Sequence, residues 1–148
     1  MNILLMLHSI LRWIILLVAV VAVIKFALGW LQGGAFKGMD RGLMSGFSGL
    51  MDLQATIGLF SLILILWNRN RLIESNDPIC AILACFFPTY AVVHGVIMVT
   101  AAVVAHLPAR WKNADDKTRF RKNMFAILIS LALVLVGIFV LRFRPELF

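Results

Sequence analysis

The chain has 148 residues, 62% of them hydrophobic and 14% charged, with a mean hydropathy of +0.98. A soluble domain of this length has too little interior to hide so much apolar surface, so an ordinary water-soluble globule is excluded and lipid is the expected surrounding. The formal net charge of +7 comes without a basic stripe interleaved with exposed aromatics; this argues against nucleic acid and fits Lys and Arg anchoring the loops of a membrane protein.

The size suits one transmembrane domain over 1–148, an all-α integral membrane four-helix bundle running up-down-up-down. Apolar stretches at about 3–30, 45–67, 79–107 and 124–141 each supply the ~20 residues needed to cross ~30 Å of hydrocarbon. His8, Ser9, Arg12 and Lys25 interrupt the first. No basic residue precedes it and Arg12 sits inside it, so it reads as a retained helix rather than a cleaved leader. The connection Gln32 to Arg41, with Gly33, Gly34 and Gly38, reads as a flexible turn; no GxxxxGK[ST] phosphate loop is present.

In the second helix Gly42, Gly46 and Gly49 fall at i, i+4 and i+7, a face that lets a neighbouring helix approach closely. Arg69 and Arg71 fall in the second connection, and Asn76, Asp77 and Pro78 form a turn signal before the third helix. Cys80 and Cys85 match neither CxxC nor a zinc spacing and read as small apolar residues. Pro88 either separates a short helix at 79–87 from the third span or kinks one continuous helix. The third connection carries Arg110, Lys112, Lys117, Arg119, Arg121 and Lys122, with Asp115 and Asp116 as solvated charge; Lys25, Lys37 and Arg41 flank the first. Both connections lie on one side, which the positive-inside rule makes cytoplasmic, so both termini are expected to face outward.

Polar side chains inside the spans are the features that need explaining. On the helices as bounded above, His8 lies ~8 Å below the outer boundary. With a third helix starting near Pro88, His94 lies ~9 Å below the same boundary. Two histidines at one level on different helices suit bis-imidazole ligation of a haem b iron. Arg12, one turn below His8, is then placed to hold a propionate and to raise the haem potential, or to join a polar cluster with Asp52 and Gln54. The plainer alternative is that His8 hydrogen-bonds a neighbouring helix, His94 fills a polar gap beside Gly95, and Arg12 snorkels to headgroups. His106 has no partner histidine and reads as interfacial. No HExxH, no GxSxG and no carboxylate pair is placed for acid–base work; Glu74 and Glu146 fall in loop and tail. No catalytic residue is therefore assigned, and the methionines lack the clustering of a copper site.

The run Leu7-His8-Ser9-Ile10-Leu11-Arg12-Trp13 resembles the opening of a group of small four-helix bacterial membrane proteins, sometimes labelled cytochrome b-like, that begin with LHSxLRW. Gly29-Trp30, Asp40-Arg41, Asp52-Leu53-Gln54 with Gly58, His94 with Met98, and Ala105-His106 through Arg110 extend the likeness over most of the chain. The resemblance implies a multi-pass inner-membrane protein with His8 and His94 as its key positions, and it gives no substrate. Better understood four-helix cytochromes b carry two stacked haems on two histidine pairs, whereas here His106 stands alone in the other half. The expectation is thus a small electron carrier or haem-bearing anchor subunit, or else a haem-free accessory subunit that packs against other membrane subunits of a larger complex. A transporter fits less well, since no broken-helix repeat is visible.

Overall fold

The computed structural model describes the backbone of residues 3–73 and 78–142, and side chains over 3–64, 67 and 91–139. Among these residues the chain forms four helices and no strand: α1 (Ile3–Gln32), α2 (Gly38–Ile73), α3 (Pro78–His106) and α4 (Asp116–Arg142), with a 3-10 turn at Leu107–Trp111. All four helices are long and apolar enough to span a bilayer. Large apolar side chains cover the outside, among them Leu17, Ile24, Phe60, Val96, Val103 and Val136, each at least half exposed or close to it. In water this surface would drive aggregation; against acyl chains it costs nothing.

Short connections make successive helices antiparallel. Each packs along its chain neighbour and α1 closes the ring against α4, so α1 faces α3 across one diagonal and α2 faces α4 across the other. Small residues bring the backbones together: Ala19, Ala22, Ala101 and Ala105 are almost fully buried, and Ser130 donates to the Ala101 carbonyl at 2.6 Å.

The end carrying the α1–α2 and α3–α4 connections, here the basic end, is tightly fixed. Gly33 adopts φ +65°, the left-handed conformation that ends a helix, and the Gly34 N–H bonds the Gly29 carbonyl at 3.1 Å in a Schellman closure. Phe26, Phe36 and Phe120 pack ring against ring at 5.1–6.2 Å between centroids. Asp40 is 3% exposed; it accepts the Lys37 N–H at 2.8 Å and pairs with Lys25 at 2.9 Å, tying α2 to α1.

Those polar contacts explain where two helices begin. α2 starts at Gly38 rather than at 45 because Asp40 reaches back to the free N–H before it, half of a capping box. α4 starts at Asp116 rather than at 124 because Asp115 accepts the Thr118 N–H at 2.9 Å. The third helix is one helix from Pro78, with proline at its first position, and runs through Pro88; no separate element spans 79–87. Arg69 and Arg71 belong to α2 rather than to a loop. Glu74, Asn76, Asp77, Arg144 and Glu146, and the side chains of Cys80 and Cys85, lie outside the described residues. The glycine face of α2 has no occupant among the described residues: a Cβ added at Gly42, Gly46 or Gly49 would meet none of their atoms within 4 Å.

Candidate functional site

His8 from α1 and His94 from α3 meet across the diagonal, with ring centroids 6.2 Å apart and planes inclined at 66°. The other diagonal supplies room. Gly58 of α2 lies against the His8 ring, and a Cβ there would sit 3.1 Å from its Cε1. Gly137 of α4 lies against His94, and a Cβ there would press on Met98 and come within 3.3 Å of His94 Nδ1. Each flanking helix therefore lacks a side chain at the height where an imidazole reaches inward.

Each ring is held by a second helix. His94 Nδ1 stands 2.9 Å from the Gly137 carbonyl. A carbonyl only accepts, so the proton is on Nδ1 and the Nε2 lone pair is free. The buried Gln54 amide on α2 donates to the His8 main-chain carbonyl and to His8 Nε2, both at 3.1 Å. That pairing leaves His8 Nδ1 and Gln54 Oε1 buried without partners. Two orphaned polar atoms in one apolar place are costly, and both lie at the level of the histidine pair.

A cleft of about 950 Å³ opens beside the rings. Ile15, Leu16, Met51, Met98, Val134 and Ile138 supply apolar walls, and His8, Ser9, Arg12, Gln54 and His94 are its polar lining. The Arg12 guanidinium donates to Ser9 Oγ at 3.1 Å and lies 5.5 Å from the Trp13 ring centre. Cation and hydroxyl thus sit together on the cleft wall, a pairing suited to a carboxylate.

The expected Arg12–Asp52–Gln54 cluster does not form. Residues two apart on a helix point ~200° apart, so Gln54 enters the bundle while Asp52 faces outward, its side chain 54% exposed. Asp52 instead accepts the His106 Nε2–H at 2.9 and 3.0 Å. His106 therefore has a partner that the sequence reading missed. The pairing follows from the antiparallel register of α2 and α3, in which Leu62 stands beside Gly95, about three turns from Asp52 and His106; the sequence alone does not give that register. Gly58 and Gly137 gave no sequence signal as neighbours of the histidines, because their role depends on which helices flank the diagonal.

Among the described residues no group of three or more His, Cys, Asp or Glu could hold a metal ion. The site offers two protein donors, fewer than the three or four that bind a bare structural or catalytic zinc. The two imidazoles come from opposite helices of the bundle, and a group that brings its own further ligands would need only such a pair from the protein.

No protein-family model matches the chain, and no curated protein or solved structure matches it either.

Proposed function

We propose that this chain is a small b-type membrane cytochrome, an electron carrier or haem-bearing anchor subunit of a bacterial inner membrane, with His8 and His94 as the axial ligands of one haem b. The observation that carries this reading is the histidine pair across the α1–α3 diagonal, 6.2 Å between ring centres, with a glycine of each flanking helix beside it. Bound haem would supply reversible one-electron transfer between ferric and ferrous iron.

The chain's own groups suit that task. The His94 Nδ1–H bond to Gly137 fixes the ring and leaves Nε2 unprotonated, the outer support that metal-bound imidazoles need. Gln54 also holds His8, but from the donor side: its amide donates to His8 Nε2, so ligation by His8 would require this contact and the ring proton to rearrange. Arg12 with Ser9 would hold a propionate. The apolar walls exclude water. The described histidines provide no second inward pair, so electrons would enter and leave at the histidine end alone. With the basic end cytoplasmic by its Lys and Arg, that end faces outward, as do both termini.

A second reading, a haem-free accessory subunit, is favoured by one feature: the open Gly42, Gly46 and Gly49 face of α2, a surface on which a helix of another subunit would sit closely. Haem content separates the two. Full-length protein made in a haem-supplied host and purified in detergent should carry about one haem b per chain by pyridine haemochrome assay. A colourless preparation that is nonetheless folded and helical would overturn the cytochrome reading.

A further inference from the structure

A second cleft, of about 560 Å³, opens at the basic end between the start of α2, the 3-10 turn and the start of α4. Three cations from three separate segments line it: Arg41 of α2, Lys112 after the 3-10 turn, and Arg119 of α4. No Asp or Glu is among its lining residues. Among the described residues Arg41 and Lys112 have no ion-pair partner, and Arg119 has only a long contact to Asp116 at 3.8 Å. Like charges gathered into one recess repel, and an arrangement of this kind is relieved by a bound anion. The rest of the lining mixes polar side chains, among them Ser45, His106 and Asn113, with apolar ones, among them Phe36 and Trp111.

Arg119 is preorganised for the task. Its guanidinium lies 3.8 Å over the Phe36 ring, which is itself stacked on Phe26 and packed at a tilt against Phe120. A guanidinium held by its face keeps its edge N–H groups free for an oxyanion. The recess stands where the apolar spans give way to the charged connections, which is the height of headgroup phosphates.

We infer that this cleft binds a phosphate group, carried by an anionic phospholipid whose headgroup sits among Arg41, Lys112 and Arg119 while its apolar part lies beside Trp111. The inference is independent of the histidine pair. A free phosphate would satisfy the same cations but would leave the apolar side of the recess unused.

The test is native mass spectrometry of the full chain released from detergent containing phosphatidylglycerol, phosphatidylcholine or inorganic phosphate. Arg41→Gln/Lys112→Gln is compared with Lys117→Gln/Arg121→Gln, which removes two charges of the same connection outside the cleft. Wild-type protein should retain phosphatidylglycerol in preference to phosphatidylcholine. The cleft double variant should lose about tenfold or more in affinity, with the control pair near wild type. Both variants alter exposed charges, and unchanged helix content and melting temperature without lipid would verify that each is folded. Equal losses in the two double variants, or equal retention of both lipids, would overturn the inference. Saturation by inorganic phosphate without lipid preference would assign the recess to a free anion and overturn the lipid assignment.

Discussion

At the scale of single residues, the space beside each histidine is created by what is missing. Gly137→Ala drives a methyl group against the flexible end of Met98, which can swing aside, and brings it within 3.3 Å of His94 Nδ1, which must give slightly. Overpacking costs about 1–3 kcal/mol, and relief by Met98 puts this case at the low end. The expected outcome is a lower melting temperature together with a disturbed haem spectrum, since the displaced group is either the ligand or its neighbour. Gly29→Ala gives the matched control: its Cβ would fall 2.5 Å from Phe120 at the basic end, far from the histidines. It should lower the melting temperature similarly and leave the spectrum intact. Arg12 gives a second residue-scale prediction. On the wall of the same cleft, a guanidinium penalises ferric iron relative to ferrous. At partial exposure that is worth about 1 kcal/mol, or about 40 mV for one electron. Arg12→Gln should lower the midpoint potential in a redox titration and Arg12→Lys should largely preserve it; equal potentials in all three would show that Arg12 does not sense the haem charge.

At the scale of elements, the spans were legible because lipid demands about 20 apolar residues and little else has that pattern. The starts of α2 and α4 were not, because they lie in charged sequence and depend on capping carboxylates, Asp40 in the first turn of α2 and Asp115 just before α4. Asp115 makes this testable. Thr118, through its side chain and its backbone N–H, holds the Asp115 carboxyl below the usual carboxylate range. A lowered folded pKa means that the cap's stabilising contribution is complete above the unfolded value of about 4 and is lost as pH falls through the lower folded value. The protection factors of the amides at 116–119, taken against the intrinsic exchange rate at each pH, should therefore fall on acidification below about pH 4 in the wild type. Asp115→Asn, which cannot titrate, should be flat over the same range, and an identical acid response in both would remove the cap from the account. The polar residues of α2 teach a related lesson. Asp52 and Gln54 look like one cluster in sequence, yet helical periodicity sends them to opposite faces, one to His106 and one to His8.

At the scale of the whole molecule, the histidine level follows from bundle geometry rather than from distance along each helix. The sequence argument began the third helix near Pro88, whereas α3 begins at Pro78 and places His94 ~24 Å from its start. The rings still meet, because α2 and α3 extend beyond His8 by more turns than α1 and α4 do. Hydropathy cannot report such an offset, and which helices share a diagonal emerges only when all four are packed. The central claim is that these two imidazoles hold one iron between them. Its most direct test is the reduced-minus-oxidised spectrum of the detergent-purified full chain from a haem-supplied host. The account predicts sharp low-spin b-type bands, perturbed in His8→Ala and in His94→Ala, absent in the double variant and unchanged in His106→Ala. A wild-type chain with no such bands, or a double variant that keeps them, would contradict it.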